Sequence, residues 1–216
     1  MYQREVLHNL RNWAKKTDRK PLVVRGARQV GKTTLINQFS KDFEQYIYVN
    51  LERPDDRMPF DEFQSLETLI KALFFLKNKS LEKKSNTLIF IDEIQEVPEA
   101  MNMLRYFFED EPSIHVIAAG SMLESLFNKE NHFPVGRVEY LMVRPVSFPE
   151  FLNAMKEKNS LQQLEKIPFD SFAYNKLLGL FHTYALIGGM PEVVKNYVGN
   201  KDLTKLASIY DSLISV

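Results

Sequence analysis

The sequence contains no cysteine among its 216 residues. This absence excludes disulfide bonds, zinc sites with thiolate ligands and a cysteine nucleophile. The chain also lacks any run of 18 or more apolar residues, the length that a membrane-spanning helix needs, and its first residues, MYQREVLHNLRNW, contain no apolar segment typical of a signal peptide. We therefore expect a cytoplasmic protein with no membrane partner.

The chain has no excess charge of either sign, because 28 Lys and Arg residues balance 28 Asp and Glu residues. A protein without net charge has no global field that would attract nucleic acid. Binding of DNA would need a local basic patch, and the lysines of residues 77–86, KNKSLEKKSN, are the first place to look for one. A solvated surface turn is the alternative for that segment.

Strand-like and helix-like segments alternate along residues 1–146. Helical spacing of apolar residues occurs at residues 4–16, 32–40, 66–76 and 98–111, and short apolar runs typical of strands occur at residues 22–24, 46–51, 88–92, 114–119 and 138–143. Residues 53–63, RPDDRMPFDEF, contain two prolines and four acids and predict an exposed loop. This alternation predicts an α/β domain with a mainly parallel sheet.

Only helical segments follow after about residue 147. Helices are predicted at residues 148–155, 172–186 and 203–216, and Gly-Gly-Met before Pro191 interrupts the helical run. We therefore divide the chain into a core at residues 1–146 and a helical lid or linker at residues 147–216. The apolar positions of the last helix continue to the final residues, so this helix either packs on the domain, is covered by a partner protein, or begins a longer C-terminal region. These positions are Leu206, Ile209, Tyr210, Leu213 and Ile214.

Residues 26–33, GARQVGKT, match the phosphate-binding pattern G-x-x-x-x-G-K-[ST] at every fixed position. Glycines allow the backbone N–H groups of such a loop to converge on phosphates at distances that a Cβ atom would obstruct. We expect Lys32 to lie along the β and γ phosphates and the Thr33 hydroxyl to ligate Mg²⁺, while the following helix adds the positive end of its dipole. The residues expected to bind the nucleotide here are Gly26, Ala27, Arg28, Gln29, Val30, Gly31, Lys32, Thr33 and Thr34. Arg28 pointing to solvent is the alternative for that side chain.

Residues 88–93, LIFIDE, form an apolar run that ends in two carboxylates. A strand of this kind delivers Asp92 and Glu93 to the carboxyl edge of the sheet, where open α/β sheets place their ligands. We expect Asp92 to hold Mg²⁺ through water and Glu93 to polarise the water that attacks the γ phosphate. Together with the glycine loop, this pair predicts binding and hydrolysis of a nucleoside triphosphate.

The predicted strand at residues 46–51, between the loop and the Asp-Glu pair, resembles the branch of P-loop ATPases that has an additional strand and a catalytic glutamate. The resemblance implies a three-layer αβα sandwich with a five-stranded sheet in the order 5-1-4-3-2. It also makes Ser121 a candidate polar sensor, with a turn or helix cap as the alternative. Arg137 stands where related AAA-type ATPases carry an arginine finger, which would act in cis or in a homo-oligomer; a surface ion pair is the alternative.

Longer runs extend this resemblance over nearly the whole chain: PLVVRGARQVGKTTLINQF, YVNLE, LIFIDEIQEVPEAMNMLRYFFED, IAAGS, FPVGRVEYLMVRPVSFPEFL and GGMPEVV. They are similar to a group of prokaryotic AAA-type ATPases related to the STAND-like signalling NTPases. In the STAND-like group a Gly-x-Pro element contacts the nucleotide, so the resemblance makes Gly189 and Pro191 candidate binding residues, with a simple helix break as the alternative. It also implies ATP rather than GTP, and a nuclease-like C-terminal domain beyond these residues.

Two functional hypotheses follow. The first is an ATPase whose hydrolysis drives or times a conformational change, and Glu93 and Arg137 favour it. The second is a slow-turnover, nucleotide-gated signalling switch for a C-terminal effector, and Gly189 and Pro191 favour it. A DNA-associated ATPase is a third hypothesis, which the neutral charge opposes.

Overall fold

The computed structural model describes residues 4–62, 65–120 and 136–214. Contacts within the chain divide these residues into two compact units. The sheet unit comprises Asn9–Arg28 and Lys32–Val143, and the helical unit comprises the residues up to His8, Gln29–Gly31 and the residues from Arg144 onward, as far as each is described.

Five parallel strands form the sheet, in the order β2-β3-β4-β1-β5. The strands are β1 (Leu22–Arg25), β2 (Gln45–Asn50), β3 (Thr87–Asp92), β4 (His115–Ala119) and β5 (Glu139–Met142). Counted from the other edge this is 5-1-4-3-2, so the predicted fold class and strand order are confirmed.

The strand register sets which residues meet at the carboxyl edge of the sheet. Val24 near the end of β1 pairs with Ala119 of β4, and Asn50 at the end of β2 pairs with Asp92 of β3. Because all the strands run in the same direction, the chain leaves β1 toward the glycine loop and leaves β3 toward Glu93 on this one edge.

Burial along the strands follows their positions in the sheet. All six residues of the central strand β3 are buried, as expected for a strand covered on both faces. In β2, which lies at an edge of the sheet, Ile47 and Val49 are buried while Tyr46 and Tyr48 are only half-buried, so the tyrosines occupy the opposite face. The first five helices are α1 (Val6–Ala14), α2 (Lys32–Phe39), α3 (Pro54–Glu62), α4 (Leu66–Leu76) and α5 (Pro98–Glu109).

Helix α3 lies where the sequence predicted an exposed loop, so that prediction was wrong. Pro54 occupies the first turn, where its missing N–H is not needed, and Asp55 and Asp56 in that turn favour the positive end of the helix dipole. Phe60 is buried in the core, and the Asp56 carboxylate accepts a hydrogen bond from Asn50 N at 2.9 Å. Pro54 and the two aspartates therefore begin a helix instead of preventing one, and Pro59 lies inside it.

The helical unit contains the remaining helices: α6 (Phe148–Ala154), α7 (Lys158–Leu164), α8 (Tyr174–Ile187), α9 (Pro191–Asn200) and α10 (Ala207–Ile214). Ser147 and Glu150 form a reciprocal capping box at the start of α6. Leu206 is buried in the core of this unit, and Ile209 and Tyr210 pack against it, so the first part of the C-terminal apolar stripe is covered from within the unit. None of the helices in the described part of the chain is long and apolar enough to cross a membrane.

Candidate functional site

The glycine loop turns sharply between β1 and α2. Gly26 has φ of 151° and Gly31 has φ of 86°, both conformations that favour glycine, and Gln29 between them also has a positive φ of 63°. Helix α2 then begins at Lys32. The loop therefore has the strongly turned backbone that brings several N–H groups to one side, next to the amino terminus of a helix.

The Lys32 side chain folds back over this loop. It is only 7 % exposed, and its Nζ donates to the carbonyl oxygens of Gly26 at 2.8 Å and Ala27 at 3.0 Å. Burial lowers the pKa of Lys32 and Arg28 adds to this effect, while the carboxylates of Glu93 and Asp92 oppose it. The ammonium group therefore lies inside the loop, within the field of both carboxylates.

Thr33 and Asp92, the two predicted magnesium ligands, lie next to each other. Thr33 Oγ1 donates to Asp92 Oδ2 at 2.8 Å, and the N–H of Glu93 donates to Asp92 Oδ1 at 3.2 Å. Asp92 is only 3 % exposed; burial raises its pKa, the Glu93 charge adds to the rise, and the hydrogen bonds to its carboxylate oppose it. The site therefore joins a hydroxyl and a buried carboxylate, both hard oxygen ligands.

Tyr48 is part of this site, and the sequence reasoning missed it. Its hydroxyl donates to Asp92 Oδ2 at 3.2 Å, and its ring packs beside Phe90 of β3. Burial and then the Asp92 charge raise the pKa of Tyr48 to about 12, so the hydroxyl stays protonated and remains a donor. The alternation in residues 46–50, YIYVN, was the available signal, because it places Tyr46 and Tyr48 on the same face of β2.

Glu93 is held in an uncommon conformation directly after the strand. Its backbone has φ of 51° and ψ of 47°, the left-handed region that non-glycine residues rarely occupy, and a short 3₁₀ turn, Ile94–Glu96, follows. Gln95 Nε2 donates to Glu93 Oε2 at 2.6 Å. The carboxylate that we expect to activate water is therefore oriented by a neighbouring carboxamide.

The candidate residues Gly189 and Pro191 lie between α8 and α9. A Cβ atom placed on Gly31 would lie 3.6 Å from Cγ of Pro191, so the proline ring lies beside Gly31. Gly189 O accepts a hydrogen bond from Val146 N at 2.7 Å, and a Cβ atom on Gly189 would come within 2.5 Å of Val146 O. Pro191 thus lies next to Gly31, whereas Gly189 permits a close backbone contact.

Arg137 lies away from the carboxyl edge of the sheet. It precedes β5, whose first residue, Glu139, pairs with Leu22 at the start of β1. Its side chain is 45 % exposed, and Nε donates to Glu109 Oε1 at 2.8 Å. The structure therefore separates Arg137 from the loop of its own protomer by the length of β1. Ser121, the candidate sensor, lies outside the described residues.

Three of the four lysines considered for DNA binding, Lys77, Lys83 and Lys84, have acidic partners. Lys77 pairs with Asp56 and Lys84 pairs with Glu111 at 2.8 Å. Lys83 also pairs with Glu44. These ion pairs offset the local positive charge, as expected for an ordinary protein surface.

The sequence pattern of a family of AAA domains matches residues 18–152, more than half of the chain. No curated protein matches. Structural similarity is found to ORC1 of Aeropyrum pernix in a complex with DNA, with a TM-score of 0.48 and 16 % identity over 74 % of this chain and 50 % of that chain. For C. elegans PCH-2 the TM-score is 0.44, with 13 % identity over 77 % and 48 % of the two chains. For Drosophila ORC bound to DNA the TM-score is 0.49, with 14 % identity over 96 % of this chain and 66 % of that chain. The chain therefore spans about half to two thirds of the length of these structures.

Proposed function

Because the chain belongs to the AAA domain family, we propose that it binds ATP with Mg²⁺ and hydrolyses the γ phosphate, and that turnover drives or times a conformational change. The observation that carries this proposal is the contact between Thr33 Oγ1 and Asp92 Oδ2 at 2.8 Å. It joins the helix that begins at the glycine loop to the strand that carries the carboxylate pair.

The residues at this site fit both the polyphosphate and the metal. Mg²⁺ in phosphate-transferring sites is held by one or two protein oxygens, with phosphate oxygens and water completing the octahedron. Thr33 and Asp92 supply such oxygens, directly or through water. Bound there, Mg²⁺ supplies neutralisation of the charge on the phosphate oxygens.

The protein's own groups then have separate roles. Lys32 is a point charge for the β and γ phosphates, and the loop N–H groups and the amino terminus of α2 hold the remaining phosphate oxygens. Glu93 accepts a proton from the attacking water. Ser121 is proposed as a further polar contact for the γ phosphate or the water.

Arg137 is proposed to act on the site of a neighbouring protomer in a homo-oligomer. Two observations support action in trans. The residue lies at the amino end of β1, opposite to the glycine loop of its own chain, and its side chain is substantially exposed. A guanidinium inserted by a neighbour would stabilise the charge of the transition state.

Steady-state phosphate release from ATP tests the proposal. Glu93→Gln is expected to bind ATP with near-normal affinity and to lose hydrolysis by a factor of about 10² or more, because a general base contributes 10²–10⁴-fold. Lys32→Ala is expected to lose binding as well. A Glu93→Gln protein that hydrolyses ATP like the wild type would show that Glu93 is not the base.

A nucleotide-gated switch is a second candidate, and the position of Pro191 beside Gly31 supports it. A phosphate group bound next to Gly31 would change the surroundings of Pro191 in the first turn of α9. Under this alternative, turnover is slow and protease sensitivity of residues 144–214 differs between ATP and ADP. Pro191→Ala should remove that difference while leaving ATP affinity within about 3-fold of the wild type, since it is a truncation outside the phosphate-binding loop.

A further inference from the structure

Gln95 is a half-buried polar side chain that the proposed site does not yet use. It lies in the 3₁₀ turn Ile94–Glu96, two residues after the proposed general base. Its Nε2 donates to Glu93 Oε2 at 2.6 Å, a short bond of the kind formed with ionised acceptors. A carboxylate can only accept, so chemistry requires the NH₂ end of the carboxamide to face Glu93.

The other end of the same carboxamide has no partner among the residues that the structure describes. Its oxygen, Oε1, is completely buried there without a hydrogen-bond donor. Buried polar atoms in folded proteins almost always have a partner, because an unpaired one retains the full cost of its desolvation. A side chain kept only for stability would satisfy both ends.

Gln45 shows what a structural glutamine looks like in this protein. Its Nε2 donates to Ser80 O at 2.8 Å and to Thr87 Oγ1 at 3.0 Å, and its Oε1 accepts from Ser80 N at 2.8 Å. Both ends of the Gln45 carboxamide are therefore bonded within the protein. Gln45 also begins β2 and pairs with Thr87, the first residue of β3. It therefore lies at the amino ends of these strands, whereas Glu93 follows the carboxyl end of β3.

We propose that Gln95 positions Glu93 for catalysis. This inference rests on the proposed ATP hydrolysis. Because Gln95 Nε2 holds Glu93 Oε2, the direction in which the other Glu93 carboxylate oxygen meets the attacking water is fixed. A base held in one direction is the orientation that removal of a water proton during in-line attack needs.

The reaction step is balanced without any further reactant. The water oxygen forms a bond to the γ phosphorus, and the bond from that phosphorus to the β–γ bridging oxygen breaks. One water proton passes to Glu93, while the other hydrogen stays on the new phosphate oxygen. Gln95 itself neither gains nor loses a proton.

The test compares Gln95→Met with Gln45→Met in the 216-residue chain. Methionine keeps the length of glutamine and removes both polar ends. For Gln95→Met we expect kcat to fall about 10–100-fold, with KM and ATP affinity within about 2-fold of the wild type, because only the orientation of the base and water is lost. Its Tm should be equal to that of the wild type or higher, since a buried unpaired oxygen is removed.

The control should show the reverse pattern. Gln45→Met is expected to lower Tm by roughly 5 °C, because three hydrogen bonds to Ser80 and Thr87 are lost, and to leave kcat of the folded protein unchanged. In a Glu93→Gln background, Gln95→Met should produce no further loss of kcat, since Gln95 acts through Glu93.

The outcomes distinguish a failure of the role proposed for Gln95 from a failure of the proposed ATP hydrolysis. If Glu93→Gln abolishes hydrolysis and Gln95→Met still turns over like the wild type, Gln95 has no positioning role. If Gln95→Met loses Tm as Gln45→Met does and its ATP affinity falls together with kcat, Gln95 is structural and the inference is overturned. If the wild type does not hydrolyse ATP, or if Glu93→Gln equals it, the proposed function itself fails.

Discussion

Thr33 Oγ1 and Asp92 Oδ2 lie 2.8 Å apart although 59 residues separate them in the chain. The contact arises because β1 and β3 are parallel members of one sheet, so that the helix after β1 and the last residue of β3 meet at the same edge. Asp92 is almost completely buried, and a carboxylate in that position needs the hydrogen bonds that it accepts. The hydrogen bond from Thr33 is therefore one of the contacts that stabilise the buried Asp92 carboxylate.

The first prediction concerns the Thr33 hydroxyl. Thr33→Val keeps the shape of the side chain but removes the oxygen, so phosphate release should fall about 100-fold and the Mg²⁺ concentration for half-maximal rate should rise. Thr33→Ser retains a hydroxyl and serves as the control, with a rate within about 5-fold of the wild type. A Thr33→Val protein with normal turnover and normal Mg²⁺ dependence would contradict the proposed metal site.

The second prediction concerns Tyr48. Tyr48→Phe keeps the ring beside Phe90 and removes the hydrogen bond to Asp92, so it should lower kcat about 2–10-fold and raise the Mg²⁺ requirement, with little change in stability. Tyr46→Phe is the matched control, because the Tyr46 hydroxyl bonds to Asn37 instead of Asp92. The ATPase rates of the two variants are measured as a function of Mg²⁺ concentration. Equal curves for both variants would show that Tyr48 does not orient Asp92.

The third prediction is a pH dependence of stability at His115. Burial, with Arg19 adding to it, lowers the pKa of His115 from 6.5 to about 4, while the ring packs edge-on against Trp13 and Phe43. A depressed histidine pKa means that the unfolded chain binds the proton more readily than the folded one. The contribution of neutral His115 to the free energy of unfolding is therefore complete above pH 6.5 and is lost as the pH falls toward 4.

His115→Phe keeps an aromatic ring and removes this titration. Between pH 7 and pH 5 the free energy of unfolding of the wild type should fall by on the order of 1 kcal/mol more than that of His115→Phe, after allowing for partial exposure of the ring. Urea unfolding at the two pH values measures the difference. Parallel losses in both proteins would mean that His115 titrates normally in the fold.

The fourth prediction compares two glycines of the helical unit. Gly189→Ala places a Cβ atom 2.5 Å from Val146 O and 2.9 Å from Pro145 Cβ, so it should destabilise the unit by about 2 kcal/mol or more. Gly199 lies in α9 with no atom within 4 Å of a Cβ position, so Gly199→Ala should stabilise the unit by about 0.5–1 kcal/mol. Denaturant midpoints that shift in the same direction for both variants would contradict this packing.

The fifth prediction tests whether sites are shared between protomers. Arg137→Ala and Lys32→Ala should each hydrolyse ATP at least 10-fold more slowly than the wild type, because one lacks the charge supplied to a neighbour and the other lacks its own phosphate contact. Mixing the two inactive proteins should restore part of the activity if Arg137 acts in trans. Mixtures that remain as inactive as their components would exclude that role.

Several features of this fold follow from short local patterns. Residues 26–33 and the pair Asp92 and Glu93 are recognisable because their chemistry demands particular residue types next to a strand. The strand order came from resemblance to related ATPases and agrees with the observed sheet. These features depend on neighbouring residues or on a shared family pattern.

Other features depend on contacts that no local pattern contains. The bond from Tyr48 to Asp92 requires the register in which Tyr48 pairs with Phe90. Residues 53–63 were predicted as a loop because prolines and acids were counted without regard to their positions. Pro54, Asp55 and Asp56 lie in the first turn of a helix, where both residue types are favourable. The ion pair of Arg137 with Glu109 likewise joins two elements that only the folded sheet brings together.

Calorimetric titration of the purified protein with ATP in the presence of Mg²⁺, compared with Lys32→Ala, tests the central claim most directly. We expect saturable binding by the wild type and a loss of affinity of at least about 100-fold in the variant, because a charge-assisted contact to the phosphates is removed from a partly desolvated site. Equal affinity of the two proteins, or no binding by either, would contradict it.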